Sequence, residues 1–494
     1  MKKDHLLSFE VNRETIGKSA VSSIVFQLLT KLKGIVTMPI LTACLAPAEL
    51  GIYNLILVTS SVLMPLVTLN LTDGVGILFA QEKDPATIAR MFNTVLNTVA
   101  LIAASLALAA FAFGGHLGEY SPYLPWVGLL LLANITHKLP VFLLATYQKS
   151  GIVLKNMFQK DLAITLCTVL LVWLGYSYRG MVLAAFVFQT LFALALYRRI
   201  FAGMEYRFGI DARLLREFLK LSIPLLPVFF FTWIVQSSDS YFLAYYGGKE
   251  VLGKYSVIYG IASVVLCITF ALNFFWFPVS ARLWRDNREQ YTEVFRVVFT
   301  AMAALLLASV CLFELNSEAI MRLFVRREAY QDAHVIMGVI AFAFSMQVLM
   351  TLLTAPLYSN RNTRAILAAH CVGGGVNTLL NLALIPAFGI VGAAASTAVA
   401  YLAIAVGLGI MNYRLAGFRF VDPRLKYVCA FFILAWCGLG LARGSLETPG
   451  IAAADLIFVT LVAAAAFRLG LRRDERAYLV SMAAHLAKKQ TQGA

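Results

Sequence analysis

The sequence predicts an all-α, polytopic membrane protein, because its composition is strongly apolar and its charges are widely spaced. The chain has 494 residues, of which 60% are hydrophobic and only 14% are charged, whereas soluble proteins carry about 25% charged residues. The stretches 255–281 and 365–413 contain no Asp, Glu, Lys or Arg. A helix needs about 20 apolar residues to cross a bilayer, so this pattern predicts many spanning helices rather than the short alternating strands of a membrane barrel.

Hydropathy predicts about fourteen spans, centred near residues 30, 60, 101, 134, 165, 189, 232, 266, 304, 345, 375, 401, 434 and 460. Lys31 and Lys33 interrupt the first span and the last two spans are short, which leaves twelve or thirteen spans as an alternative. Lys and Arg concentrate in the loops on one side, and Lys160 is assigned to the loop before the fifth span. The positive-inside rule then predicts that this side and both termini are cytoplasmic.

Several features recur in the same order in the two halves of the chain. They predict two six-helix bundles of one topology, related by an axis along the membrane normal and separated by a cavity. The predicted bundles are 1–202 and 203–420, followed by two extra transmembrane helices at 421–470 and a basic cytoplasmic tail at 471–494. The recurring pairs, which have nearly the same separation, are Gly51 with Gly253, Tyr147 with Tyr358, and Gly180 with Gly392.

The composition and the motifs exclude several classes of function. The formal charge of +15 is explained by cytoplasmic loops, so no nucleic-acid partner is predicted. The seven cysteines are scattered and form no C-x-x-C pattern, which argues against a metal site. The sequence contains no phosphate-binding loop, zinc-protease motif or nucleophile elbow, so we predict no enzymatic activity, no catalytic residue and no cofactor.

Three lysines are candidates for binding an anionic substrate. Lys31 and Lys33 lie near the middle of the first span, where a charge costs roughly 3 kcal/mol and normally faces a cavity or a partner. The alternative is that their side chains reach the headgroups, but the distance from mid-span is long for a lysine. Lys138 lies four residues to the cytoplasmic side of the fourth span's centre, beside His137, and reaches the headgroups more easily.

The seventh span carries the candidates for ion coupling and gating. Asp239 lies among polar residues at 236–240, which predicts a wet cavity or a bundle interior. It can bind a coupling ion, exchange with a first-span lysine, or form a static ion pair that fixes helix packing. Pro224 and Pro227 lie in the first turns of the same span and predict a bend that acts as a hinge, although proline is also simply common in membrane helices.

Asn377 and Asn381 are four residues apart in the eleventh span and therefore share one helix face. They are candidates for contacts with sugar hydroxyls. The alternative is that they hold neighbouring helices together by hydrogen bonds, which is the commoner role of asparagine in membrane helices. His370 is predicted to be a packing residue.

Three segments resemble the bacterial polysaccharide and O-antigen flippase family of the multidrug/oligosaccharidyl-lipid/polysaccharide exporter superfamily. These segments are 37–56, 222–261 and 377–402, and the similarity extends over about residues 15–440. The most specific is the third, with its Asn377-x-x-x-Asn381, Ile385-Pro386 and Gly392-Ala393-Ala394. One departure is that Asp239 is followed by Ser240, where the family often has arginine.

The resemblance implies a flippase that translocates undecaprenyl-diphosphate-linked oligosaccharide across the bacterial inner membrane by alternating access. Its implied partners are this lipid-linked oligosaccharide, membrane lipids, a polysaccharide polymerase and a chain-length regulator, and we expect a monomer. Two alternatives are a multidrug/cation antiporter and a flippase for the peptidoglycan lipid precursor, both in the same superfamily. A membrane-embedded glycosyltransferase, ligase or polymerase is disfavoured because the outer loops are short.

Overall fold

The computed structural model describes residues 33, 34, 36–147 and 149–416, and the regular secondary structure in these ranges is entirely helical. Nine helices in this part of the chain are long and apolar enough to cross a membrane, which confirms the predicted all-α, polytopic membrane fold. Lys31, the spans predicted near 434 and 460, and the predicted segments 421–470 and 471–494 lie outside the described residues. The division of the chain at residues 202 and 420 stays a prediction.

The chain forms two compact units, and the first comprises residues up to Gly260 together with Leu323–Asp332 and Thr378–Ala393. Several of its spans are broken into successive shorter helices. Its helices are α1 (36–44), α2 (Pro47–Val67), α3 (Leu71–Gly74), α4 (Gly76–Gln81), α5 (Pro85–Phe113), α6 (Leu124–Thr146), α7 (Ser150–Trp173), α8 (Ser177–Phe201), α9 (Ala212–Ser222), α10 (Leu226–Ser237), α11 (Asp239–Tyr246) and α12 (Gly248–Ala262).

The second unit contains most of the remaining described chain, from Ile261 onward. A π-helical segment, Leu272–Trp276, lies between its first two helices. The further helices of the chain are α13 (Cys267–Ala271), α14 (Phe277–Asp286), α15 (Arg288–Leu315), α16 (Ser317–Phe324), α17 (Met337–Ser359) and α18 (Thr363–Ala416). The eleventh and twelfth predicted spans are the two halves of α18, which is kinked at Gly389.

Aromatic side chains form the core where α4, α5 and α9 pack in the first unit. Phe79, Phe92 and Phe218 are completely buried, and the rings of Phe79 and Phe218 have centroids 6.2 Å apart. The hydroxyl of Tyr147 donates to the carbonyl oxygen of Phe79 at 2.7 Å. Burial, with the nearby Glu82 carboxylate, raises the pKa of Tyr147 to about 12, so this hydroxyl stays a donor at physiological pH.

Caps satisfy the backbone at several helix ends, as an apolar environment requires. Arg327 closes the end of α1 by donating from Nε to the carbonyl of Ala43 and from Nη2 to that of Cys44, both at 3.0 Å. At the start of α9, the Asp211 carboxylate accepts the backbone N–H groups of Arg213 and Leu214. These bonds hold the pKa of Asp211 below its usual value, so the cap is ionised at neutral pH and is lost only in acid.

In the second unit, aromatic rings of α14 and α15 stack against each other. Tyr291 and Phe295 are fully buried, and Trp276, at the end of the π-helical segment, packs against both rings. Asn412 of α18 donates from Nδ2 to the carbonyl of Leu353 in α17 at 2.8 Å. Part of the aromatic cluster at 274–277 therefore packs in the core.

Candidate functional site: a charged cluster and a broken helix

The middle of α7 carries a charged pair. Lys160 and Asp161 lie eleven and twelve residues into the helix Ser150–Trp173, so the assignment of Lys160 to a cytoplasmic loop was wrong. Lys160 Nζ is 3.3 Å from Asp161 Oδ1, and the two side chains are only 12% and 19% exposed. The sequence assignment failed because the polar first half of α7 has the composition of a loop, although it continues the helix.

Lys33, His137 and Asn156 surround this pair and complete what we call the mid-membrane cluster. His137 Nε2 lies 3.0 Å from Asn156 Oδ1, and Asn156 Nδ2 donates to the carbonyl of Phe192 at 3.0 Å. Half-buried Lys33 and His137 both interact electrostatically with Lys160 and Asp161. Two lysines therefore share one carboxylate, which leaves the described cluster with an excess of positive charge.

Lys138 lies next to His137 in the chain but has a different partner. Its Nζ is 2.9 Å from Asp73 Oδ2, and the two side chains are 30% and 57% exposed. Asp73 belongs to the short helix α3, which follows a break at Leu69 and Asn70, where both residues have positive φ. Lys138 is thus paired with α3 in this structure, and its role in binding substrate stays a prediction.

A second polar group, which we call the helix-break cluster, forms where the seventh span is interrupted between α10 and α11. Asp239, 2% exposed, accepts the hydroxyl of Tyr255 on α12, with the two oxygens 2.5 Å apart. The preceding residue, Ser238, has its Oγ 3.5 Å from Nδ2 of Asn381 on α18. The cluster therefore gathers a buried carboxylate, two hydroxyls and an amide from three parts of the chain.

The remaining predicted site residues fall into place around these clusters. Pro224 lies in the 3₁₀ turn Ile223–Leu225 that separates α9 from α10, and Pro227 lies in the first turn of α10. Asn377 and Asn381 are both fully buried in α18. The His370 Nδ1 atom lies 2.8 Å from the carbonyl oxygen of Ile366, one turn earlier in its own helix.

Gly51 and Gly253, predicted from the sequence to be equivalent, meet where α2 crosses α12. A Cβ on Gly51 would collide with the carbonyl oxygen of Lys249, and a Cβ on Gly253 with that of Pro47. Such a close approach of two backbones requires glycine. One turn further on, Asn54 Nδ2 donates to Ser256 Oγ, so residues with the same separation along the chain face each other across this crossing.

The sequence analysis missed three members of the mid-membrane cluster that contribute to its charge and hydrogen bonds: Asn156, Lys160 and Asp161. A signal was present, because Asn156 and Lys160 are four residues apart and therefore share a face if the helix extends that far. His137 was noticed only as the neighbour of Lys138. Its contact with Asn156 follows from the packing of α6 against α7.

A bundle of long apolar helices with charges held at mid-membrane and with broken spans defines a polytopic membrane transporter, with the fold of the multidrug/oligosaccharidyl-lipid/polysaccharide exporter superfamily. A family profile described as "Polysaccharide biosynthesis protein" matches residues 16–284, more than half of the chain. The chain belongs to this family, which confirms the family-level resemblance of its sequence.

Solved structures of transporters share the fold. The chain is similar to "Lipid II flippase MurJ, inward closed conformation", with a TM-score of 0.70 and 13% identity, over 91% of this chain and 97% of that chain. It is also similar to a drug-bound structure of the "MATE multidrug transporter DinF-BH", with a TM-score of 0.59 and 14% identity, over 83% of this chain and 97% of that chain. No curated protein matches. At these identities the similarity shows the fold alone.

Proposed function

We propose that this protein is a flippase that translocates an undecaprenyl-diphosphate-linked oligosaccharide across the bacterial cytoplasmic membrane by alternating access. The observation that carries the proposal is the mid-membrane cluster, in which Lys33 and Lys160 share the single carboxylate of Asp161. Uncompensated positive charge is costly in a bilayer, and a diphosphate that passes this point supplies the missing negative charge. Membership of the polysaccharide biosynthesis family supports the same class of substrate.

The helix-break cluster fits a coupling site. Interrupted spans commonly hold transported or coupling ions, because backbone groups freed at the break bind them. Asp239 is the buried carboxylate at such a break, and a proton or Na⁺ that binds there changes its charge. Pro224 and Pro227 then act as the hinge that lets the seventh span move. Asn377, Asn381 and Lys138 complete the proposed path by contacting the sugar and the diphosphate.

Alternating access also requires the crossing of α2 and α12 to open. The backbones of Gly51 and Gly253 touch without intervening side chains, so the helices can separate here without dismantling interdigitated side chains. The orientation proposed from the Lys and Arg distribution puts this crossing on the periplasmic side. The same orientation places both termini in the cytoplasm and the polar first turns of α7 on the cytoplasmic side.

The test of this function is depletion of the protein in a host that carries no redundant flippase. We expect lipid-linked oligosaccharide to accumulate on the cytoplasmic face and surface glycan to fall. Purified protein in vesicles should move a fluorescent undecaprenyl-diphosphate-linked sugar to the opposite leaflet, as measured by its protection from a membrane-impermeant quencher. Normal surface glycan after depletion would contradict the proposal.

A peptidoglycan lipid-precursor flippase is the second candidate, because the similarity to the lipid II flippase structure extends over 91% of this chain and that cargo is also an anionic lipid. The two functions separate by phenotype: loss of this alternative function stops growth, whereas loss of a surface-glycan flippase does not. A multidrug/cation antiporter is less favoured, because a positive cluster repels cationic drugs.

A further inference from the structure

A cavity of about 510 Å³ lies beside α9, away from both clusters described above. Apolar side chains make up most of its wall, with Ile210, Leu215, Leu219 and Ile223 among them, while Arg216 and Lys220 contribute positive charge. The volume is within the range of roughly 300–1,000 Å³ that is typical of small-molecule sites. Its lining thus combines a greasy interior with two cationic groups.

The loop that supplies one wall is held in place by buried side chains of α5. Asn93 Nδ2 donates to the carbonyl of Glu205 at 3.0 Å, and Asn97 Nδ2 donates to the carbonyls of Arg207 and Gly209 at 3.1 and 2.9 Å. Asn93 and Asn97 are each only 4% exposed. The cavity wall at Ile210 is therefore preformed rather than the accidental edge of a loose loop.

The inner face of α9 is fixed as firmly. Phe218 is completely buried and packs against Phe79, and a Cβ on Gly74 would collide with Ser222. With this face held, Arg213, Arg216 and Lys220 share another face of the helix and are exposed. Within the described residues neither Arg216 nor Lys220 has an ion-pair partner, so both are available to an external anion.

We infer that this cavity binds an anionic phospholipid of the surrounding membrane, with its phosphate on Arg216 and Lys220 and an acyl chain among Leu215, Leu219 and Ile223. The occupant follows from charge and place. A short amphipathic helix at the start of a spanning segment lies in the headgroup region, and basic residues there attract anionic lipids. Pro224 also borders the cavity, so the bound lipid contacts the turn that leads into α10.

The inference is independent of the proposed function, because it concerns a bilayer lipid and not the transported one. The experiment is native mass spectrometry of the purified full-length protein, titrated with phosphatidylglycerol or with phosphatidylcholine. We expect one saturable phosphatidylglycerol site that phosphatidylcholine does not fill. Equal affinity for the two lipids would overturn the inference, because the charge would then play no part.

Two variants locate the site. The double variant Arg216→Glu/Lys220→Glu should bind phosphatidylglycerol at least about tenfold more weakly, because each basic residue near the surface contributes roughly a fivefold preference for anionic lipid. The matched control is Arg282→Glu/Arg364→Glu, which reverses two exposed charges elsewhere and should leave binding unchanged. Wild-type affinity in the first variant, or an equal loss in the control, would overturn the inference.

A cavity-filling variant keeps the test decisive if the charge reversal disturbs folding. Ile223→Trp retains both cations and fills the apolar part of the site, so phosphatidylglycerol binding should again fall by about tenfold, with the thermal midpoint unchanged. Retained binding in this variant would overturn the placement of the acyl chain. Tighter, competing binding of an undecaprenyl diphosphate would instead assign the cavity to the transported lipid and also overturn the inference.

Discussion

The mid-membrane cluster and the helix-break cluster place charge in the membrane in opposite ways. In the first, Lys160 and Asp161 are half-buried and paired at 3.3 Å, with Lys33 close enough to add a second positive charge. In the second, Asp239 is 2% exposed and accepts the hydroxyl of Tyr255. The first arrangement leaves positive charge for an anionic substrate, whereas the second keeps a carboxylate available for a proton or a cation.

The largest effect is expected from Lys160→Ala. It leaves the Asp161 carboxylate without its nearest cation, and breaking a buried ion pair costs about 3–5 kcal/mol; partial exposure of this pair reduces the cost to about 2 kcal/mol. We expect a lower thermal midpoint and at least about tenfold slower flipping in vesicles. Lys155→Ala, which removes an exposed lysine of the same helix, is the matched control and should leave both unchanged.

The double variant Lys160→Gln/Asp161→Asn separates stability from transport at the same position. Removing both charges leaves no unpaired ion, so the thermal midpoint should return to near the wild-type value. Flipping should stay slow, because the positive charge is still missing. If the double variant transports normally, the cluster is structural only and the contrast between the two clusters disappears.

Asp239→Asn tests the other half of the comparison. The amide has nearly the same shape and still accepts the Tyr255 hydroxyl, so the fold should remain intact while the dependence of flipping on a proton or Na⁺ gradient is lost. Flipping driven by the gradient should fall about tenfold. Tyr255→Phe removes one hydrogen bond and keeps the carboxylate, so we expect a loss of about 1 kcal/mol in stability with gradient dependence retained.

Lys33→Ala should have a smaller effect than Lys160→Ala, because Lys33 lies outside the 3.3 Å pair. Flipping should fall severalfold without a change in protein level, and Lys33→Arg should retain part of it because the charge is kept. Lys31→Ala is expected to behave similarly on the basis of its sequence position. Normal surface glycan from the double Lys31→Ala/Lys33→Ala variant would remove both lysines from the mechanism.

The smallest effect is expected at Lys138. Its ion pair with Asp73 is partly exposed, and such pairs contribute about 0–1 kcal/mol. Lys138→Ala should therefore change the thermal midpoint little, and the paired variant Asp73→Asn should behave alike. A large loss of flipping in Lys138→Ala alone, with Asp73→Asn active, would show that Lys138 contacts the diphosphate and belongs with the mid-membrane lysines.

Much of the fold could be predicted, but the mid-membrane cluster could not. Runs such as 255–281 lack charge, and this alone indicates spanning helices. Lys160 and Asp161 escaped detection because hydropathy averages over a window, and their polar neighbours Asn156 and Gln159 lower that average to loop level. The helix-break cluster was partly foreseen, since Asp239 stands out in an apolar span, but its contact with Tyr255 was not.

The sequence by itself determined that the chain is helical and crosses a membrane many times, because apolar segments in lipid must satisfy their own backbone hydrogen bonds. It also paired Gly51 with Gly253 as equivalent positions. Only the tertiary structure decided that these two glycines touch, that His137 meets Asn156, and that Lys33 lies near Asp161. Such contacts depend on how helices distant in the chain pack side by side, which hydropathy does not encode.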